Sequence, residues 1–249
     1  MNDRHEDIAS ALPPDLDSLP RLKGFRLRGI EMTRLETFID AAFAFAITML
    51  VIAGNQIPDD VGKLLGAFKN VPAFVTSVIV LGIFWRGHWL WSRRYGLEDG
   101  ISTLISWAMI VTLLIYIYPL NAIFSSMWNL LSGSRVGHTM GAQSDEQIRA
   151  VFAIFSLGFC AIAIEVVLLH VRAWQLRGAL RLNERERSMT RAEIEGWSLA
   201  VGVGLISFAL ALTLPMQQIA WSGWVYFSMA VLVPVQRFLR ARKKREIKN

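Results

Sequence analysis

At 249 residues, 53% of them hydrophobic and with a mean hydropathy of +0.39, the chain is too apolar for an ordinary soluble domain and long enough for one compact membrane domain. Its single cysteine, Cys160, excludes an intrachain disulfide and a zinc site built on thiolates. The net charge of +6 lies in short runs beside apolar segments, a pattern of membrane topology and not of nucleic-acid binding, so no nucleic-acid partner is expected.

Residues 1–33 open with a polar stretch carrying Asp3, Glu6, Asp7, Asp15, Asp17 and a Pro13-Pro14 pair. The first twenty residues hold no apolar core of signal-peptide length and are expected to form a disordered cytoplasmic tail. Arg21, Lys23, Arg26 and Arg28 follow as a basic run that would keep this end in the cytoplasm. Six apolar segments then fit a membrane domain over 34–238: 38–54, 71–91, 101–131, 150–171, 196–215 and 219–235. This predicts an all-α membrane protein of six transmembrane helices. Pro119 should kink or break the third span, leaving a separate short helix beyond it. Residues 132–147, rich in Gly and Ser, read as a flexible outer loop, and the lone His138 in it as solvated surface. The Arg- and Glu-rich linker 172–191 suits a solvated amphipathic helical extension. The last two spans should form a tight hairpin, and 239–249 a basic cytoplasmic tail. Lys and Arg concentrate on one side only if six spans leave both termini cytoplasmic, and a prokaryotic inner membrane is the simplest address.

The polar residues of the spans are few. Asp40 starts the first span, and Trp85 and His88 lie toward the cytoplasmic end of the second, three residues apart. With Arg34 they would form one layer, Asp40 accepting and the others donating; a plain interfacial anchor uses the same residues. Glu165, toward the inner end of span four with His170 and Arg172 nearby, reads as a paired structural charge or as a proton or ion relay. Ala41, Phe45, Thr48 and Ile52 form one stripe of the first span, at steps of four, three and four. Around a shared axis such a stripe would give apolar rings and one hydroxyl ring; ordinary core packing is the other reading. Ala42, Ala44 and Ala46 would let another helix approach closely. No Thr-Val-Gly-Tyr-Gly segment occurs, which excludes a carbonyl filter of the usual kind. No nucleophile–base pair or metal-ligand cluster has convincing spacing, so neither an enzyme nor a cofactor is expected.

Arg34-x-x-x-Phe38-x-Asp40, followed by Ala-rich apolar residues and Thr48, resembles the Arg-x-x-x-Phe-Ser-Asp signature of the transmembrane protein 175 family of lysosomal and prokaryotic potassium channels. Trp85-x-x-His88 and Pro119 extend the resemblance. It implies a homotetramer in membrane lipid with K+ as the permeant ion. The pore would be lined by the first helices through Ala41, Phe45, Thr48, Met49 and Ile52. Arg34, Phe38, Asp40, Trp85 and His88 would form the network holding that helix, and selectivity would arise at the apolar rings and the Thr48 layer. Two departures stand out. The signature Ser is Ile39, and Phe45 occupies the position where the family has Leu or Ile as its narrowest ring. A proton-coupled transporter using Glu165 or Asp40, and a non-conducting relative, are the alternatives.

Overall fold

The computed structural model describes residues 13, 15–54, 59–137 and 144–246; His138 lies outside them. Residues 16–18 form a 3-10 turn capped by Asp15, whose carboxylate accepts from the Asp17 amide at 2.9 Å. Leu16 and Leu19 are buried, so the expectation of a disordered tail fails from Asp15 onward. Strands β1 (Arg21–Leu22) and β2 (Phe25–Arg26) pair in a two-residue hairpin. Its corner residues, Lys23 and Gly24, have φ of 52° and 83°, the positive pair that a hairpin with right-handed strand twist requires. Phe25 enters a buried cluster with Trp91, Tyr95, Leu169, Leu180 and Leu182. Residues 21–30 thus form a strap across the basic end of the bundle.

Helix α1 (Arg34–Gly54) begins where the Thr33 hydroxyl accepts from the Glu36 amide at 3.1 Å. Helix α2 (Val61–Phe68), capped by Asp60, lies in the segment between the first two expected spans. It buries no residue and exposes Val61, Leu64, Leu65 and Phe68. Helix α3 (Val71–Tyr95) ends at Gly96 with φ 59°, where a side chain would press on the strap backbone at Arg28 and Gly29. Helix α4 (Gly100–Leu131) runs unbroken through Pro119, against the expected break. Proline lacks an amide donor and its ring crowds the carbonyl one turn earlier, but packing of Leu113, Tyr116, Ile117 and Leu120 on both sides holds the helix together.

Helix α5 (Asp145–Gln175) lies at the centre, packed on α3, α4 and α6. A turn leads to α6 (Glu184–Thr213), which starts with a reciprocal cap: Asn183 accepts from the Glu186 amide and Glu186 from the Asn183 amide. The linker is therefore part turn and part helix. The last span is composite, comprising α7 (Ala220–Trp224), a 3-10 stretch at 225–228 and α8 (Met229–Glu246). Six helical segments among the described residues are long and apolar enough to cross a membrane.

Candidate functional site

The residues of α1 divide between two faces. Glu36, Ile39, Phe43, Ala46 and Leu50 are buried against the bundle. Arg34, Phe38, Ala41, Phe45, Thr48 and Ile52 are exposed on the opposite side, with Phe45 at 55% and Ile52 at 62%. Steps of four and three keep these six on one stripe of a 3.6-residue helix. The Thr48 hydroxyl donates to its own Ala44 carbonyl at 3.1 Å, which leaves oxygen lone pairs for a ligand on the open side. Met49 stands off the stripe, half-buried against the core cluster. Of the three alanines, Ala46 is buried, Ala42 half-buried and Ala44 exposed.

The expected polar layer is only partly assembled. Trp85 Nε1 donates to Asp40 Oδ1 at 2.8 Å, fastening α1 to α3. Phe38 lies 4.8 Å from the Trp107 ring of α4. His88, in contrast, turns into the bundle and shares a 3.1 Å hydrogen bond with Ser106. Residues three apart differ by about 60° around a helix, enough to set Trp85 on the rim and His88 inside. Arg34 is exposed and has no ion pair among the described residues. The cation and acid that do meet there are Arg93 and Glu36, at 3.2 Å, with Glu36 buried. Arg93 also donates to the Gly29 and Ile30 carbonyls, so it joins the start of α1, the end of α3 and the strap.

A second ionic hub lies beneath. Glu186 accepts from the Arg26 amide and Nε at 3.0 Å, from Arg26 Nη2 at 2.9 Å and from Arg28 Nη2 at 3.0 Å. Its side chain is fully buried, and those of Arg26 and Arg28 are 10% and 1% exposed. Burial pulls the Arg28 guanidinium below its ordinary value, against the Glu186 bond, whereas that bond raises Arg26. Arg94 pairs with Glu193 and Arg172 with Asp99.

Glu165 is not paired with His170 or Arg172. Its Oε1 accepts from the Thr112 hydroxyl at 2.7 Å, and His170 binds the Val166 carbonyl. Reading by sequence missed Glu36, Arg93, Arg26, Arg28 and Glu186; Thr33-x-x-Glu36 and Asn183-x-x-Glu186 carried capping signals that place both acids at helix starts. Among the described residues no group of three His, Cys, Asp or Glu is placed to hold a metal.

A family model described as "Endosomal/lysosomal potassium channel TMEM175" matches residues 34–119, the segment that contains the exposed stripe, Asp40, Trp85 and Pro119. A protein of Marivirga tractuosa named "Potassium channel" is 28% identical over 233 residues, covering 90% of this chain and 93% of its own. A crystal structure of a variant of the potassium channel MtTMEM175, bound to a nanobody fusion, is similar with a TM-score of 0.76 and 28% identity; it covers 91% of this chain and 100% of that one. A channel homologue from Chamaesiphon minutus shares the fold at a TM-score of 0.57 and 20% identity, over 82% of this chain and 96% of its own.

Proposed function

We propose that this chain, which belongs to the transmembrane protein 175 family, assembles as a homotetrameric potassium-permeable channel whose four α1 helices line the pore. The observation that carries this reading is the open stripe of α1. An apolar helix turns Ala41, Phe45, Thr48 and Ile52 away from its own bundle, although Phe45 and Ile52 are as apolar as the side chains it buries. In a tetramer this stripe meets its copies around the axis and forms rings. Phe38 and Phe45 are its widest side chains; Phe38 packs on Trp107, and Phe45 supplies the hydrophobic constriction, which gates by dewetting. Thr48 supplies the hydroxyl ring, Ile52 a second apolar ring, and Met49 backs the wall. No carbonyl filter is needed.

Trp85 and Asp40, with Arg93 and Glu36, hold α1 upright against α3 so that the rings stay in register. The ionic hubs gather where the loops are basic, which supports a cytoplasmic location for that end and for both termini. With lipid around the outer helices, the address is a prokaryotic inner membrane.

The test is potassium flux into liposomes carrying the purified tetramer, with sodium as the comparison ion. The wild type passes potassium in preference to sodium, and Phe45→Asn raises flux while lowering that preference. Unchanged flux in Phe45→Asn removes Phe45 from the pore. No flux of either ion from a well-folded tetramer overturns conduction and leaves a non-conducting relative of the fold.

A further inference from the structure

Glu165 sits where α4 and α5 meet, ten residues before the end of α5, and its two oxygens differ sharply. Oε1 takes the Thr112 hydroxyl at 2.7 Å. Oε2 is shielded from solvent and has no hydrogen-bond partner among the described residues. The flanking Ile164 and Leu168 of α5 and Val111 and Ile115 of α4 are exposed on the surface of the bundle, so the seam lies at an apolar surface of the chain.

Most other charges around α5 are committed elsewhere, and Asp145 and Glu146 are exposed at its far end. Helix α4 carries no charged residue at all. On α5, Arg172 is held by Asp99 and His170 by the Val166 carbonyl, while Arg149 donates to carbonyls of α6 and its C-cap. On α6, Glu186 is paired with Arg26 and Arg28, Glu193 with Arg94, Glu195 with Arg240, and Arg191 lies over Trp174. On α3, His88 meets Ser106, Arg93 meets Glu36, Arg94 has Glu193, and Arg86 is exposed. Glu36, more deeply buried, has its arginine; the half-buried Glu165 has none among the described residues.

An ionised carboxylate with one bare oxygen and no cation is the costly arrangement in an apolar medium, and a proton on that oxygen removes the cost. We propose that Glu165 is a proton-binding site of the membrane interior, carrying its proton on Oε2 at neutral pH and open to lipophilic reagents from the bilayer. The matching ligand classes are the proton itself and the dialkylcarbodiimides. With the latter, the acid gives its proton to one carbodiimide nitrogen while the carboxyl oxygen bonds to the central carbon. The O-acylisourea then rearranges to a stable N-acylurea. Nothing leaves, and the peptide gains the mass of one whole reagent.

The experiment treats the full chain in liposomes with N,N′-dicyclohexylcarbodiimide across a pH series and maps the adduct by mass spectrometry. Infrared spectra of the untreated protein are recorded in parallel. At pH 7 the adduct falls on Glu165, and its yield drops as pH rises. A carboxylic-acid carbonyl band is present, titrates over the same range and is missing in Glu165→Gln. Thr112→Val, which removes the bond that favours the ionised form, carries labelling to higher pH. Adducts on other acids with none on Glu165, or a wild-type spectrum with only ionised carboxylates at pH 7, overturns the proposal. Both wild-type readouts stand if the variants fail to fold. Neither depends on the channel reading, since a chain that passes no potassium still labels at Glu165.

Discussion

Replacing Glu186 by Gln tests the lower ionic hub directly. The carboxylate accepts four bonds from Arg26 and Arg28 that are 3.0 Å or shorter, and all three side chains are at least nine-tenths buried. Solvent screening therefore takes little from the interaction. Removing the charge leaves Arg28 enclosed with no carboxylate and Arg26 with only the exposed Asp17 at 3.8 Å, a loss of about 3–5 kcal/mol for a broken buried pair. The strap is tied down by this hub and by Phe25, so most of that loss falls on its local opening. At a factor of ten per 1.4 kcal/mol, the open fraction rises on the order of 10² to 10³. Limited trypsin digestion in detergent reads this fraction, because cleavage after Arg26 and Arg28 follows the open population when reclosing is fast. The mutant strap should be cut at least a hundredfold faster, with the rest of the chain protected as in wild type. Cleavage within threefold of wild type would refute the hub as the fastening of the strap.

Trp85→Phe keeps the ring but removes the donor to Asp40, and should cost about 1 kcal/mol. A cycle with Asp40→Ala in thermal unfolding should show coupling of about that size, and strictly additive effects would mean the bond is idle. Gly158→Ala places a methyl 2.5 Å from a ring carbon of the buried Tyr116, where neither partner has room to yield. A loss of about 1–3 kcal/mol is expected in detergent unfolding, and wild-type stability would mean the α4–α5 spacing is wider.

The six spans were legible because runs of about twenty apolar residues have few other uses. The Asp40–Trp85 bond was legible too, since both residues sit at the same depth on neighbouring helices. What escaped reading were contacts between parts far apart in the chain. Arg26 meets Glu186 across 160 residues, and no local pattern links them. Arg34 was expected to serve Asp40, yet the buried acid is Glu36, one turn earlier and on the face that meets Arg93. His88 was grouped with Trp85 from spacing alone, which fixes a side of the helix only to within the width of its packing face. The strap hairpin had a local signal, Lys23-Gly24 between Leu22 and Phe25, that was outweighed by its basic composition.

That strap spans the chain's whole synthesis. Arg26 and Arg28 emerge early, whereas Glu186 follows 160 residues after Arg26, a delay on the order of ten seconds at ordinary elongation rates. Throughout that interval both arginines are free cations beside the first span. In the proposed orientation they act then as retention signals that stop the N-terminus from translocating. Once α6 has inserted, the same two charges are withdrawn from water and become interior ties. One pair of side chains thus serves first as an address for insertion and afterwards as the seal that records its completion.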